Sequence, residues 1–168
     1  MQSSLLEKTN KSPAAPKTGK FGQKHIATGI TMPLLLAALA SASLDAKLTI
    51  DMTVREGLAI EIAKALDHEG AINFDAMVEH NVIPRKTWES ALKSGAKVLT
   101  PTNSERVLRV ARITACARQT FGAEKANVWM TRPTTPLGGQ APMSLLATES
   151  GARAVELLLG RIDHGFAA

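Results

Sequence analysis

The chain has a single cysteine, Cys116, no tyrosine, and aromatic residues at only 4% of its 168 positions. One thiol excludes an intrachain disulfide and the stapled folds of small secreted proteins, so a reducing compartment, the cytoplasm, is the expected home. With so few aromatics and with alanine, leucine and lysine abundant, helix is favoured over sheet along nearly the whole chain. The expected fold class is all-α. His25, His68, His80 and His164 are scattered, with no second cysteine or carboxylate at ligand spacing, so no metal site is expected. P-loop, GxGxxG and GxSxG patterns are all missing, and no nucleophile, base and orienting group come together. Neither enzyme activity nor a cofactor is therefore expected. The apolar run MPLLLAALASAS, Met32 to Ser43, is too short to span a bilayer as a helix. Lysines before it and the small residues Ala40-Ser41-Ala42 give it the outline of a signal segment, yet the preceding stretch is long for that role. It is expected instead to be a core or dimer helix starting near Thr31 and Pro33, with no membrane partner.

What is present is charge, unevenly spread around a net +5. Met1 to Ile30 carries five lysines against Glu7, residues 31–100 carry seven bases against nine acids, and residues 101–168 carry eight bases against five acids. The first 29 residues mix Ser, Lys, Pro, Thr and Gly without periodicity and are expected to be a disordered basic arm. Such an arm either grips phosphate or is simply solvated.

Beyond Thr53, Val54, Leu58, Ile62, Ala65 and Leu66 form one stripe, which predicts an amphipathic helix of about four turns ending at Gly70. Asn73 is placed to cap a short helix from Phe74 to Glu79, His80-Asn81 makes a turn, and Pro84 opens RKTWESALKSG. Two short helices across a tight turn form a helix-turn-helix pattern, with Trp88 and Leu92 as its anchors to the core. In that arrangement Arg85 reads guanine or holds phosphate, Lys86 and Thr87 donate to phosphate, and Lys93 and Lys97 flank the helix. Many helical hairpins share the pattern. The next helix is expected from Thr100-Pro101 or Thr102, with Thr102 and Glu105 spaced as a capping box. Its stripe is Val107, Val110, Ala111, Thr114, Ala117 and Phe121. Arg106, Arg109, Arg112 and Arg118 occupy the remainder, either a solvated face or a contact for DNA or a partner's acids. Cys116, among apolar residues on this helix, is expected to be a small buried hydrophobe.

The last third is the most sharply patterned. Phe121-Gly122 ends one helix and Ala123 to Met130 starts another, with Trp129 expected as a core anchor under the Leu137-Gly138-Gly139 loop. Pro133, Pro136, Gly138, Gly139 and Pro142 forbid a regular element and set a turn system, after which Pro142 opens a short helix. After Thr148 and Glu149, the residues Ala152, Val155, Leu158, Leu159 and Ile162 line one helical face. Arg153, Glu156, Arg161 and Asp163 point away from it. His164 and Gly165 are placed to end that helix.

The order and spacing of Phe121-Gly122, Ala126-Asn127-Val128-Trp129-Met130, Pro136-Leu137-Gly138-Gly139, Pro142-Met143, Thr148-Glu149, Gly151-Ala152, Leu159-Gly160-Arg161-Ile162 and His164-Gly165 resemble the toxin-binding domain of Xre/MbcA/ParS-type antitoxins. The likeness runs from about Glu105 to the C-terminus, weakens over residues 53–100 and is absent from the first thirty. It implies a partner of the RES-domain toxin class, which consumes NAD or transfers ADP-ribose from it. It also implies that the C-terminal helix and tail cover the toxin's substrate cleft. Arg161, Asp163, His164 and Phe166, beyond the needs of the apolar stripe, are the expected toxin contacts, together with Leu137, Gly138 and Gly139. Relatives place an Xre-like helix-turn-helix ahead of this domain. With the Pro84–Lys93 pattern and the positive charge, the expectation is a homodimer, within a larger toxin–antitoxin complex, that represses its own promoter. Here the recognition helix departs from their arginine-rich pattern, with Glu89, Ser90 and Ala91 instead. The expected organisation is an arm over residues 1–29, a helix-turn-helix domain over 30–100 and a toxin-binding domain over 101–168. The competing reading is a helical transcriptional regulator without a toxin partner, and a third is an exported helical protein.

Overall fold

The computed structural model describes residues 35–37 and 44–165. The expected basic arm, most of the Met32–Ser43 segment and the tail residue Phe166 lie outside them. Among the described residues the fold is all-α, with isolated backbone bridges in place of strands. Helices α1 (Leu44–Glu56), α2 (Ile60–His68), α3 (Phe74–Glu79) and α4 (Arg85–Lys93) precede the long helix α5 (Pro101–Phe121). Helix α6 (Ala123–Thr131), a 3-10 turn (Thr135–Leu137), α7 (Pro142–Leu145) and α8 (Glu149–Asp163) complete the chain. Residues 35–37 are also helical.

Helix α5, about 32 Å long at 1.5 Å per residue, is the member the others pack on: it touches α1, α6 and α8. Val107, Leu108, Val110, Ile113 and Ala117 are all buried along it. They join Leu35, Leu58, Leu66, Met77, Ile83, Met130, Leu146, Val155 and Leu159 in one continuous apolar cluster. Burying apolar surface in this way is the main favourable term of folding.

Local signals set most helix ends. Asn73 Oδ1 accepts from the Ala76 amide at 2.9 Å, capping α3 at its predicted start, a contact typically worth about 1 kcal/mol. Asn81, in the turn, takes the left-handed φ of +57°, which Asn tolerates better than most residues. Thr148 Oγ1 accepts from the Gly151 amide at 3.1 Å and starts α8, while His164 and Gly165, with φ +75°, end it. These ends agree with the sequence expectations.

Three expectations do not hold. The stripe from Val54 to Leu66 is not one helix: it breaks at Gly57, whose φ is +87°. There the Leu99 amide donates to the Leu58 carbonyl at 2.8 Å, and the Ile60 amide donates to the Lys97 carbonyl at 3.1 Å. A Cβ on Gly57 would lie 2.5 Å from the Leu99 carbonyl oxygen, so only glycine admits this approach. The buried Ser104 hydroxyl completes the junction, accepting from the Leu58 amide at 2.7 Å and donating to the Thr100 carbonyl at 2.9 Å. Second, α5 is capped by Thr100, with Pro101 in the first turn, and not by a Thr102–Glu105 box. Glu105 turns to Arg109 instead. Third, Leu92 is 42% exposed and anchors nothing. Trp88 alone of that pair packs inward, its ring stacked on Phe74 with centroids 3.8 Å apart.

Candidate functional site

The C-terminal helix combines a rigidly held base with an exposed flank and end. Ala152, Val155, Leu158 and Leu159 are buried, as the periodicity predicts, whereas Arg161, Asp163 and His164 are exposed. Gly138 and Gly139 follow the 3-10 turn with φ values of +66° and +75° and are exposed, while Leu137 tucks partly against the core. Their loop closes through the Thr134 and Gln140 backbones, and the 3-10 turn touches α8. Tertiary packing therefore sets the Leu137-Gly138-Gly139 turn beside the helix that carries the three charged candidates. Trp129 is half-buried and paired with Phe121 at a 5.2 Å centroid separation, packed on the core as expected.

Three of the four arginines in the row on α5, Arg109, Arg112 and Arg118, are turned to partners within the fold, while Arg106 is half-buried. Arg109 is only 8% exposed. Its Nε donates to Glu149 at 3.0 Å, one terminal nitrogen donates to the Leu146 carbonyl at 3.2 Å, and the other to Glu105. Arg112 is paired with Glu156, so Glu156 does not point away from the body as the helical pattern suggests. Arg118 donates to the Gly70 carbonyl at 3.2 Å. A buried cation such as Arg109 must be matched by acceptors, and the half-buried Arg112 and Arg118 are matched across the fold as well. The arginines thus fasten α8 and the end of α2 to the central helix.

Cys116 stands next to this network and is half-buried, more open than the fully interior position expected of it. Burial pushes its thiol above the ordinary range, and the nearby Glu156 carboxylate adds to that, with Arg112 opposing. A thiol with a raised pKa stays protonated and is a poor nucleophile. Among the described residues no group of three or more His, Cys, Asp and Glu gathers as a metal would require.

The DNA candidates lie on a separate element. Arg85 and Lys86 are exposed in the first turn of α4, Thr87 is partly covered, and Lys93 and Lys97 are exposed at and beyond its end. No residue of α4 is fully buried; Trp88 and Ala91 are its contacts to the core. A short helix, a tight turn and a second helix held by one aromatic stack therefore leave the second helix's leading edge open.

Sequence periodicity overlooked two side chains. Leu157 is 63% exposed on α8 and Val128 is 62% exposed on α6. Both are apolar residues lying off the stripes of their helices, which was the available signal. No described helix is long and apolar enough to cross a membrane.

Residues 116–165, from the last turns of α5 to just past the end of α8, match the family of the antitoxin Xre/MbcA/ParS C-terminal toxin-binding domain. Antitoxin Xre of Yersinia enterocolitica is 46% identical over 115 residues, covering 67% of this chain and 77% of that protein. Antitoxin Xre of Pseudomonas putida is 31% identical over 133 residues, covering 79% of this chain and 82% of that protein. Antitoxin Xre of Photorhabdus laumondii is 43% identical over 74 residues, 43% of this chain and half of that protein.

Proposed function

Because the chain belongs to the Xre antitoxin family and so is a non-enzymatic antitoxin of a toxin–antitoxin system, we propose that it neutralises a RES-domain toxin in the cytoplasm by covering the toxin's NAD-binding cleft. The observation that carries this reading is the end of α8. Arg161, Asp163 and His164 stand exposed beyond the last fully buried residue, Leu159, within the segment that matches the toxin-binding family. A helix already fixed by its buried face and by Arg109 and Arg112 loses little ordering entropy when it enters a concave site. Inhibition is steric. Arg161 pairs with acidic groups or takes the place of cofactor contacts, His164 exchanges hydrogen bonds, and Phe166 acts as an apolar plug. The Leu137-Gly138-Gly139 turn forms the adjoining edge of the interface.

In the same proposal the chain acts as a homodimer that represses its own operon. The open leading edge of α4 supports this, with Arg85, Lys86 and Thr87 at its start and Lys93 and Lys97 at its end. A two-fold dimer sets two such helices about one duplex turn apart, matching an inverted repeat.

Co-expression with the product of the neighbouring gene tests the reading, followed by pull-down and an NAD-consumption assay with and without residues 161–168. The expected result is a complex whose inhibition is lost on truncation after Gly160. Full protection of cells by the truncated form would overturn the cleft-covering role. If no complex forms while promoter binding persists, the chain is a transcriptional regulator without a toxin partner.

A further inference from the structure

One ridge of α8 is free of the fold's own needs. Arg153, Leu157 and Arg161 recur every four residues, so they stack along one line of the helix surface. They border a shallow groove of about 620 Å³ that runs past Gly160 to His164. Leu157 stands at the centre of the ridge with most of its side chain in water. The carboxylates on this side of the helix are already paired, the largely exposed Glu149 with Arg109 and Glu156 with Arg112. Among the described residues no ion pair reaches Arg153 or Arg161. The ridge is therefore an apolar knob between two uncommitted guanidinium groups.

Gly160, one turn beyond Leu157, adds an independent observation. It lies inside α8, where its carbonyl accepts from the His164 amide at 3.1 Å. No atom lies within 4 Å of the position a Cβ would take, and its φ is not in the left-handed range. Glycine inside a helix is less favourable than alanine because the unfolded chain has more freedom to lose. Nothing within the fold requires it here. The contrast with Gly151 on the same helix, where a Cβ would collide with the Leu145 carbonyl, is direct. A glycine that the fold does not need, beside an exposed leucine, suits a backbone that another surface approaches closely.

We infer that the Arg153–Leu157–Arg161 ridge, with Gly160, is the docking strip for the toxin, and that it seats on an apolar pocket flanked by carboxylates on the toxin surface. The inference rests on the antitoxin reading and adds the flank of α8 to its end. A second copy of this chain does not fit the strip. An antiparallel pairing centred on Leu157 sets Arg153 of one copy against Arg161 of the other, and a parallel pairing sets each arginine against its equivalent; both bring like charges together. Nucleic acid satisfies the arginines but gives no return for burying Leu157. An acidic, pocketed protein surface answers both features at once.

Three full-length variants, Gly160→Ala, Leu157→Asp and the pair Arg153→Glu with Arg161→Glu, are titrated against the product of the neighbouring toxin gene and melted alone. Gly160→Ala is expected to leave the free chain as stable or raise its melting temperature by about 1–4 °C, yet to weaken the complex about tenfold as its methyl intrudes on a packed contact. Leu157→Asp weakens the complex about 30-fold or more, and the double charge reversal slows association and removes most of its salt dependence. All three retain the helical signal of the parent, because none of the side chains is buried. Wild-type affinity for Gly160→Ala and Leu157→Asp, with truncation after Gly160 still abolishing inhibition, overturns the strip and leaves the cleft-covering role standing. Loss of promoter binding with unchanged toxin affinity also overturns it, assigning the ridge to nucleic acid. Absence of any complex with the unaltered chain removes the antitoxin–toxin contact and the strip together.

Discussion

Arg109, in the middle of α5, and Glu149, in the first turn of α8, are joined by a hydrogen-bonded ion pair of 3.0 Å across forty residues of sequence. The same guanidinium holds the Leu146 carbonyl at the end of α7, so one side chain fixes how two helices leave and rejoin the central one. Arg109→Ala is expected to cost about 2 kcal/mol, since a buried carbonyl loses its donor and the arginine's volume becomes a void. Glu149→Gln costs well under 1 kcal/mol, because that carboxylate is largely exposed and water screens the pair. Urea unfolding of the two variants separates these contributions, and equal losses would show that the ion pair, not the carbonyl contact, dominates.

Gly151 takes helical backbone in the first turn of α8 but faces the Leu145 carbonyl with no room for a side chain. Helix propensity alone forecasts that alanine there stabilises. Packing forecasts the reverse, a loss of about 1–3 kcal/mol, as α7 and α8 are forced apart. A lowered melting temperature for Gly151→Ala supports the close approach; a raised one shows that α7 gives way freely.

If the leading edge of α4 meets phosphate, Arg85→Ala with Lys86→Ala lowers promoter affinity and reduces the slope of log affinity against log salt by about 1 per lost contact. Both residues are exposed, so the melting temperature stays within about 2 °C. Unchanged affinity and slope in a gel-shift salt titration remove these residues from the DNA interface.

Cys116 has its thiol pKa raised by burial and by Glu156. Its reaction with a thiol-specific disulfide reagent at pH 8 is expected to be about tenfold slower in the native protein than in denaturant. For the linkage, the folded state holds the proton to higher pH than the unfolded chain. This contribution to stability is therefore intact below the ordinary thiol pKa and is lost as pH rises through the raised folded value. Melting temperature followed into alkaline pH should fall less steeply in Cys116→Ala than in the parent.

Features decided by neighbours along the chain were legible without a structure. The extents of α3 and α8, the Asn73 cap and the opening of α7 at Pro142 rest on contacts within a few residues. The apolar stripe of α8 follows from helical spacing, as does the exposure of Arg161, Asp163 and His164 beyond it. The resemblance to antitoxins came from the same stretch, residue by residue.

Features decided by distant neighbours were not legible. The stripe from Val54 to Leu66 keeps helical spacing through Gly57, and only the backbone pairing of residues 58–60 with 97–99 breaks it. An arginine off the apolar stripe looks solvent-facing until a helix forty residues later supplies Glu149 and Glu156 to cover it. Leu157 lies off the apolar stripe, yet only the packed fold shows that no other element covers it and leaves it 63% exposed. Sequence by itself determined an all-α chain with a well-bounded C-terminal helix, because periodicity and capping act locally, and its likeness to antitoxins, because that rests on residue order and spacing. Tertiary structure decided which charges are paired inside and which stay exposed, because that depends on the surfaces α5 and α8 present to each other.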